Sequence, residues 1–168
     1  MSRSRYFELA FEVADPSESA LEQVEDAYDC VLSTHGRSAL LTLLVPGESA
    51  LAAARDAIAT LSPAGITIER LVDDLVTRAD IAARAEVTTQ AVGLWVRGER
   101  NREVPFPEPY VYAGSVTLWL WGEVVDFLRT VGLSIDAGVH YPSRQETLRI
   151  AGLIVQHRDS PSSVAASG

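Results

Sequence analysis

Lysine is absent from this 168-residue chain, and its 14 basic residues are all arginine. Cysteine is nearly absent. The single Cys30 excludes an internal disulfide and a cysteine-based zinc site. A lone thiol of this kind is expected as a small apolar residue of a strand. Long apolar runs are missing as well. None approaches the roughly 18 residues that span a bilayer. The opening MSRSRYFELAFEV lacks the apolar core and small-residue cleavage site of a secretion signal. The expectation is a cytoplasmic protein with no membrane partner.

Chemistry-bearing clusters are equally scarce. His35, His140 and His157 are scattered, with neither helical pairing nor a neighbouring thiol, so no metal site is expected. Asp73-Asp74 and Glu25-Asp26 are adjacent carboxylates, and neighbours along a helix or strand point different ways. They read as solvated caps rather than an acid/base pair. No Ser/His/Asp or Cys/His set has supporting context, and no phosphate-cradling glycine loop occurs. The chain is expected to be no enzyme, with no catalytic residues and no cofactor.

Positive charge is short overall, with a formal net charge of -9. Its distribution is uneven. Residues 1–69 hold four arginines against 11 carboxylates, and residues 70–168 hold ten against 12. The acidity belongs to the first half, and the second half can present a local basic face.

Tyr6 to Val13 alternates apolar and polar residues, the period of a strand. Asp15-Pro16-Ser17 then starts a helix that carries Leu21, Val24 and Tyr28. Cys30–Thr34 and Ser38–Val45 read as strands around a His35-Gly36-Arg37 turn, with Pro46-Gly47 ending the second. Ser49–Leu61 is an alanine-rich helix stopped by Ser62-Pro63 and Gly65. Ile66–Leu71 alternates again. The order β-α-β-β-α-β over residues 1–72 matches the split pattern of ferredoxin-like sandwiches, a fold used for dimerisation or for sensing a small effector or partner protein.

After Asp74 the period becomes helical. In RADIAARAEVTTQAVGLWVR, Thr77 caps a helix from about Arg78 to Ala85, with Asp80 completing a capping box. Glu86-Val87 makes a turn. Thr88 caps a second helix from about Thr89 to Val96, with Val92 and Trp95 facing inward. Thr88, Thr89, Gln90, Gly93 and Leu94 are left on the opposite face, where a helix entering a major groove meets base edges. Gln90 can pair with adenine, and threonine methyls can touch thymine. Arg78, Arg84, Arg97, Arg100 and Arg102 are candidates for phosphate contacts.

Further on come Phe106-Pro107-Glu108-Pro109 and Leu118-Trp119-Leu120-Trp121-Gly122-Glu123-Val124. With the helix pair, these make residues 74–128 resemble the winged, MerR/excisionase-like helix-turn-helix proteins of actinobacteria. The resemblance implies a hairpin wing over Tyr110–Leu120, with a further helix over Gly122–Val131. Two departures stand out. The family often has Gly at the turn, where this chain has Glu86, and the wing tip Ala113-Gly114-Ser115 carries no charge. Trp119 and Trp121 are expected on one apolar face of a strand.

The expected architecture is α+β. A ferredoxin-like domain spans 1–72 and a winged helix-turn-helix 73–133. A linker and C-terminal helix follow over 134–158, then a disordered tail over 159–168. The final helix is expected to turn Leu148, Ala151, Gly152 and Val155 to one apolar face. The function expected is sequence-specific binding of double-stranded DNA by a homodimeric bacterial transcriptional regulator. The rival expectation is a protein-interaction adaptor, antitoxin-like or anti-regulator, that keeps the fold without DNA affinity.

Overall fold

Alternation in the first strand sets the floor of the first core. In the computed structural model, which describes residues 5–160, β1 (Arg5–Ala14) buries Phe7, Leu9, Phe11 and Val13 on one face. Then come α1 (Glu18–Ala27), β2 (Asp29–His35), β3 (Ser38–Gly47), α2 (Ala50–Leu61) and β4 (Ile68–Leu71). These four strands lie in the order β2-β3-β1-β4, every neighbouring pair antiparallel. Ala39, Leu41, Leu43 and Val45 of β3 join the same buried face, with Val24 of α1 and Ala53, Ala54, Ala57 and Leu61 of α2. The alanine stripe lets α2 sit close to the sheet. Ser17 and Ser49 cap the two helices through their hydroxyls, so the second helix begins one residue after the expected Ser49. Strand β3 runs past the expected stop, since Pro46 pairs opposite Tyr6.

The remaining elements are β5 (Leu75–Val76), α3 (Arg78–Ala85), α4 (Thr89–Val96), β6 (Val111–Ala113), β7 (Val116–Leu120), α5 (Trp121–Thr130), β8 (Val139–His140) and α6 (Arg144–Asp159). The described residues thus form a mixed α+β chain. One compact unit takes the chain up to Val72 and again from Gln145; the other is Asp73–Arg144.

In the first unit, α6 turns Thr147, Ile150 and Ile154 inward. Leu148, Ala151, Gly152 and Val155, expected on one face, do share one, and it is the exposed face, with Leu148 70% and Val155 58% exposed. Two stripes at helical spacing compete on α6, and the β-branched one fills the core. Glu146 accepts a hydrogen bond from the Ala50 amide at 3.2 Å, which fastens α6 to the start of α2. Asp159 closes α6, so the disordered tail expected from residue 159 does not begin there. Residues 161–168 lie outside the described residues.

In the second unit, β5, β7 and β6 form a small antiparallel sheet. The core joins Val76, Ile81, Val92, Trp95, Trp119, Trp121, Val124 and Leu128. The two-residue strand β5 was not foreseen, because only its pairing with Trp119 and Leu120 makes it a strand. Trp121 is not on a strand face with Trp119. It opens α5, and both indoles are buried.

Candidate nucleic-acid interface

The helix pair starts from a complete capping box. The Thr77 hydroxyl accepts from the Asp80 amide at 3.1 Å, and the Asp80 carboxylate accepts from the Thr77 amide at 2.8 Å. Those bonds from Thr77, backbone first, hold the Asp80 carboxyl below its ordinary value. Helix α3 ends in a Schellman turn. The Val87 amide reaches back to the Ala82 carbonyl at 3.0 Å, and Glu86 sits in the left-handed region at φ 54°, ψ 42°. Glu86 occupies the backbone position that glycine fills most cheaply. Val87 then packs against the second core.

Thr88 caps α4 by accepting from the Ala91 amide at 3.1 Å. Ile81, Ala82 and Ala85 of α3 are buried, as are Val92 and Trp95 of α4. Trp95 meets Phe127 of α5 edge to face at 5.6 Å between ring centres. The buried side of α4 therefore fixes its rotation, and Thr88, Thr89 and Gln90 come out exposed together. Leu94 is half-buried. Gly93, expected on the open face, is buried instead. The Arg97 side chain folds back over it; a Cβ added at Gly93 would stand 3.2 Å from the guanidinium.

The five arginines divide into two groups. Arg84 holds Asp74 with two hydrogen bonds, at 2.6 and 3.0 Å, and lies 4.8 Å over the Trp121 ring. Arg97 pairs with Glu99 at 2.9 Å. Each guanidinium is held further toward its charged form, first by the hydrogen bond to its carboxylate. Arg78, Arg100 and Arg102 are exposed and form no ion pair among the described residues. From Arg78 to Glu103 five arginines face four carboxylates, a balance of +1 within a chain of net charge -9.

A hairpin stands beyond the helix pair. β6 and β7 meet through the two-residue turn Gly114-Ser115, with Gly114 at φ 61°. The Phe106-Pro107 segment is tied to its base. Phe106 packs edge-on against Trp119 and Phe127, at 5.9 and 4.9 Å, and the Trp119 indole donates to the Pro107 carbonyl at 3.1 Å. The hairpin presents Tyr112, 74% exposed, and Val116 rather than charge. Arg144 clamps Glu123 at 2.7 Å and donates to the Glu108 carbonyl at 3.1 Å, which ties this segment to α5.

No protein-family model, curated protein or solved structure matches this chain.

Sequence reasoning missed three features. Asp74 lies ten residues from Arg84, and no local pattern joins them. Glu99 stands two residues from Arg97 across Gly98, a spacing that does hint at the pair. In the first unit, the Ser62 hydroxyl meets Nε2 of His157 at 2.8 Å across 95 residues of sequence. That pair lines an open cleft of about 770 Å³ together with Ile58, Ile66, Ile68 and Ile154. The first 72 residues and α6 build the cleft jointly. Among the described residues no group of His, Cys, Asp and Glu could hold a metal ion, and no helix is long and apolar enough to cross a membrane.

Proposed function

We propose that this chain is a sequence-reading regulator that binds double-stranded DNA. In this reading the first unit is a ferredoxin-like sandwich and the second a winged helix-turn-helix. Helix α4 enters the major groove with Thr88, Thr89, Gln90 and Leu94 toward base edges. Arg78, Arg100 and Arg102 contact phosphates. Arg84 and Arg97 act indirectly: one braces α3 against α5, and the other covers Gly93. The hairpin lies beside the backbone and contributes shape rather than charge. Two copies on one site would set their reading helices about 34–36 Å apart.

One observation carries this reading. Val92 and Trp95 are buried on one side of α4 while Thr88, Thr89 and Gln90 stand open on the other. That leaves the capped first turn free to reach base edges.

The test is selection from a random duplex pool with the full-length chain at one stated salt concentration. A defined motif should emerge. Gln90→Ala should lose about 1–3 kcal/mol of discrimination at one base position. Arg100→Ala should weaken all sequences alike and lower the salt slope by about one. A second reading, a protein-interaction adaptor, draws on the near-neutral balance of the helix pair and on exposed Tyr112. Failure of any sequence to enrich at low salt would decide for it.

A further inference from the structure

The two edges of the first sheet are treated differently. β4 is short, four residues, and its register with β1 shifts between Glu12 and Val13. Arg70 on β4 pairs with Glu12, and Arg158 of α6 donates to the Glu69 carbonyl at 3.2 Å. A short, irregular, charge-dressed edge resists pairing with another chain. β2 is longer and regular, and its one carboxylate, Asp29, stands at its end. It is seven residues long and pairs with β3 in unbroken register from Asp29↔Leu44 to His35↔Ser38. It contains no proline, glycine or arginine, and Val31 at its middle is 65% exposed. Among the described residues no strand pairs with its outer side.

The turn fixes which amides point outward. A two-residue loop, Gly36-Arg37, with Gly36 at φ 64°, joins β2 to β3. Such a loop closes on a pair that exchanges both hydrogen bonds, here His35 and Ser38. Antiparallel alternation then turns the amides of Asp29, Val31, Ser33 and His35 toward β3. The amides and carbonyls of Cys30, Leu32 and Thr34 face out.

We propose that β2 is a self-pairing edge, and that two copies of this chain join their sheets antiparallel across it about a two-fold axis at Leu32. Three observations select a second copy and this register. First, Leu32 is the central one of the three outward residues. Centring there pairs Leu32 with itself and Cys30 with the second copy's Thr34, so every outward amide and carbonyl is used. Centring on Val31 or Ser33 leaves one outward residue facing beyond the strand. Second, the ends are complementary. Asp29 falls opposite the second copy's His35 at both ends, in the close, non-hydrogen-bonded class of pair. Third, Val31 falls opposite Ser33, a small partner that lets the two sheets continue without a clash. The axis stands perpendicular to the sheet, so the helices of both copies lie on the same side. A seven-residue edge covers less surface than the roughly 1,200 Å² of a stable standard interface. The expected behaviour is a concentration-dependent monomer–dimer equilibrium.

Thr34→Cys in the full-length chain reads the register directly. The introduced thiol would face the second copy's Cys30 at a Cα separation of about 5.5 Å, within disulfide range. Within one copy the two positions are four strand residues apart, about 13 Å, too far to close. Mild oxidation should give a reducible covalent dimer. The parent chain, and Thr34→Cys combined with Cys30→Ser, should stay largely uncrosslinked, because their thiols are staggered across the axis. Val31→Lys places a charge on the exposed middle of the edge. It should keep the parent circular dichroism and raise the dimer dissociation constant at least about tenfold, as sedimentation equilibrium reads it. Crosslinking that proceeds equally without Cys30, or a parent chain that sediments as a monomer at every concentration, overturns the proposal. These measurements contain no DNA, so their failure leaves the duplex-binding reading standing, and failure of that reading leaves them interpretable.

Discussion

Glu86 pays a local cost to turn the chain between α3 and α4. Its left-handed backbone, φ 54° and ψ 42°, costs a residue with a Cβ about 1–2 kcal/mol. Glycine relieves that strain but loses more freedom on folding. Glu86→Gly should therefore stabilise the second unit by about 0.5–1 kcal/mol, read as a rise in denaturation midpoint at unchanged slope. Asp80 makes the opposite kind of contribution. Its carboxyl is held below the ordinary value by the Thr77 bonds, so its stabilisation is complete above the unfolded pKa of about 3.9. It is lost as pH falls through the lowered folded value. Tryptophan emission should follow that acid limb, since all three tryptophans belong to the second unit. Asp80→Asn should flatten it. At this scale the sequence was most legible where the bond is local. Thr77 and Asp80 are three apart, and Thr88 caps the amide three residues on. The ion pair of Arg84 is not legible because Asp74 lies ten residues away and meets it only after folding, whereas Glu99 stands two residues from Arg97.

Elements tell a similar story with longer reach. Helices α3 and α4 were bounded within a residue by their caps and by the Ile81–Ala85 and Val92–Trp95 stripes. Strand β5 is not legible because two residues carry no period, and the sequence of α6 does not say which face turns inward because two stripes satisfy the same spacing. Gly93 was misplaced for a third reason: a side chain four residues later covers it. Gly122 in α5 shows how packing overrides propensity. A Cβ there would stand 2.7 Å from the Tyr141 Cβ and 3.1 Å from the Pro142 carbonyl oxygen. Alanine gains up to about 1 kcal/mol over glycine inside a helix, whereas overpacking costs about 1–3 kcal/mol. Gly122→Ala should thus lower the melting temperature, and a mutant as stable as the parent would show that the 141–142 segment yields freely.

For the whole molecule, charge and connectivity matter most. The acidic first half falls in the first unit, but the arginine-bearing second half is shared, since Arg70, Arg149 and Arg158 also belong to the first unit. What composition could not suggest is that the first unit is assembled from two separated stretches of chain, with Asp73–Arg144 between them. The second unit is continuous and owns its core, Val76 to Leu128. A fragment of residues 73–144 should accordingly fold by itself, with blue-shifted tryptophan emission and a cooperative urea transition. A red-shifted, non-cooperative fragment would show that it needs the rest of the chain.

The last structural piece of the earlier unit, then, leaves the ribosome well after the rest of it. Ile150 and Ile154 are 0% and 3% exposed within the first core, and they are made some eighty residues after β4 is finished. During synthesis the strands and two helices must wait with an unfilled slot while the tryptophan-rich insert completes itself in between. A nascent chain halted before α6 should expose that greasy slot to chaperones even when its second unit is already formed.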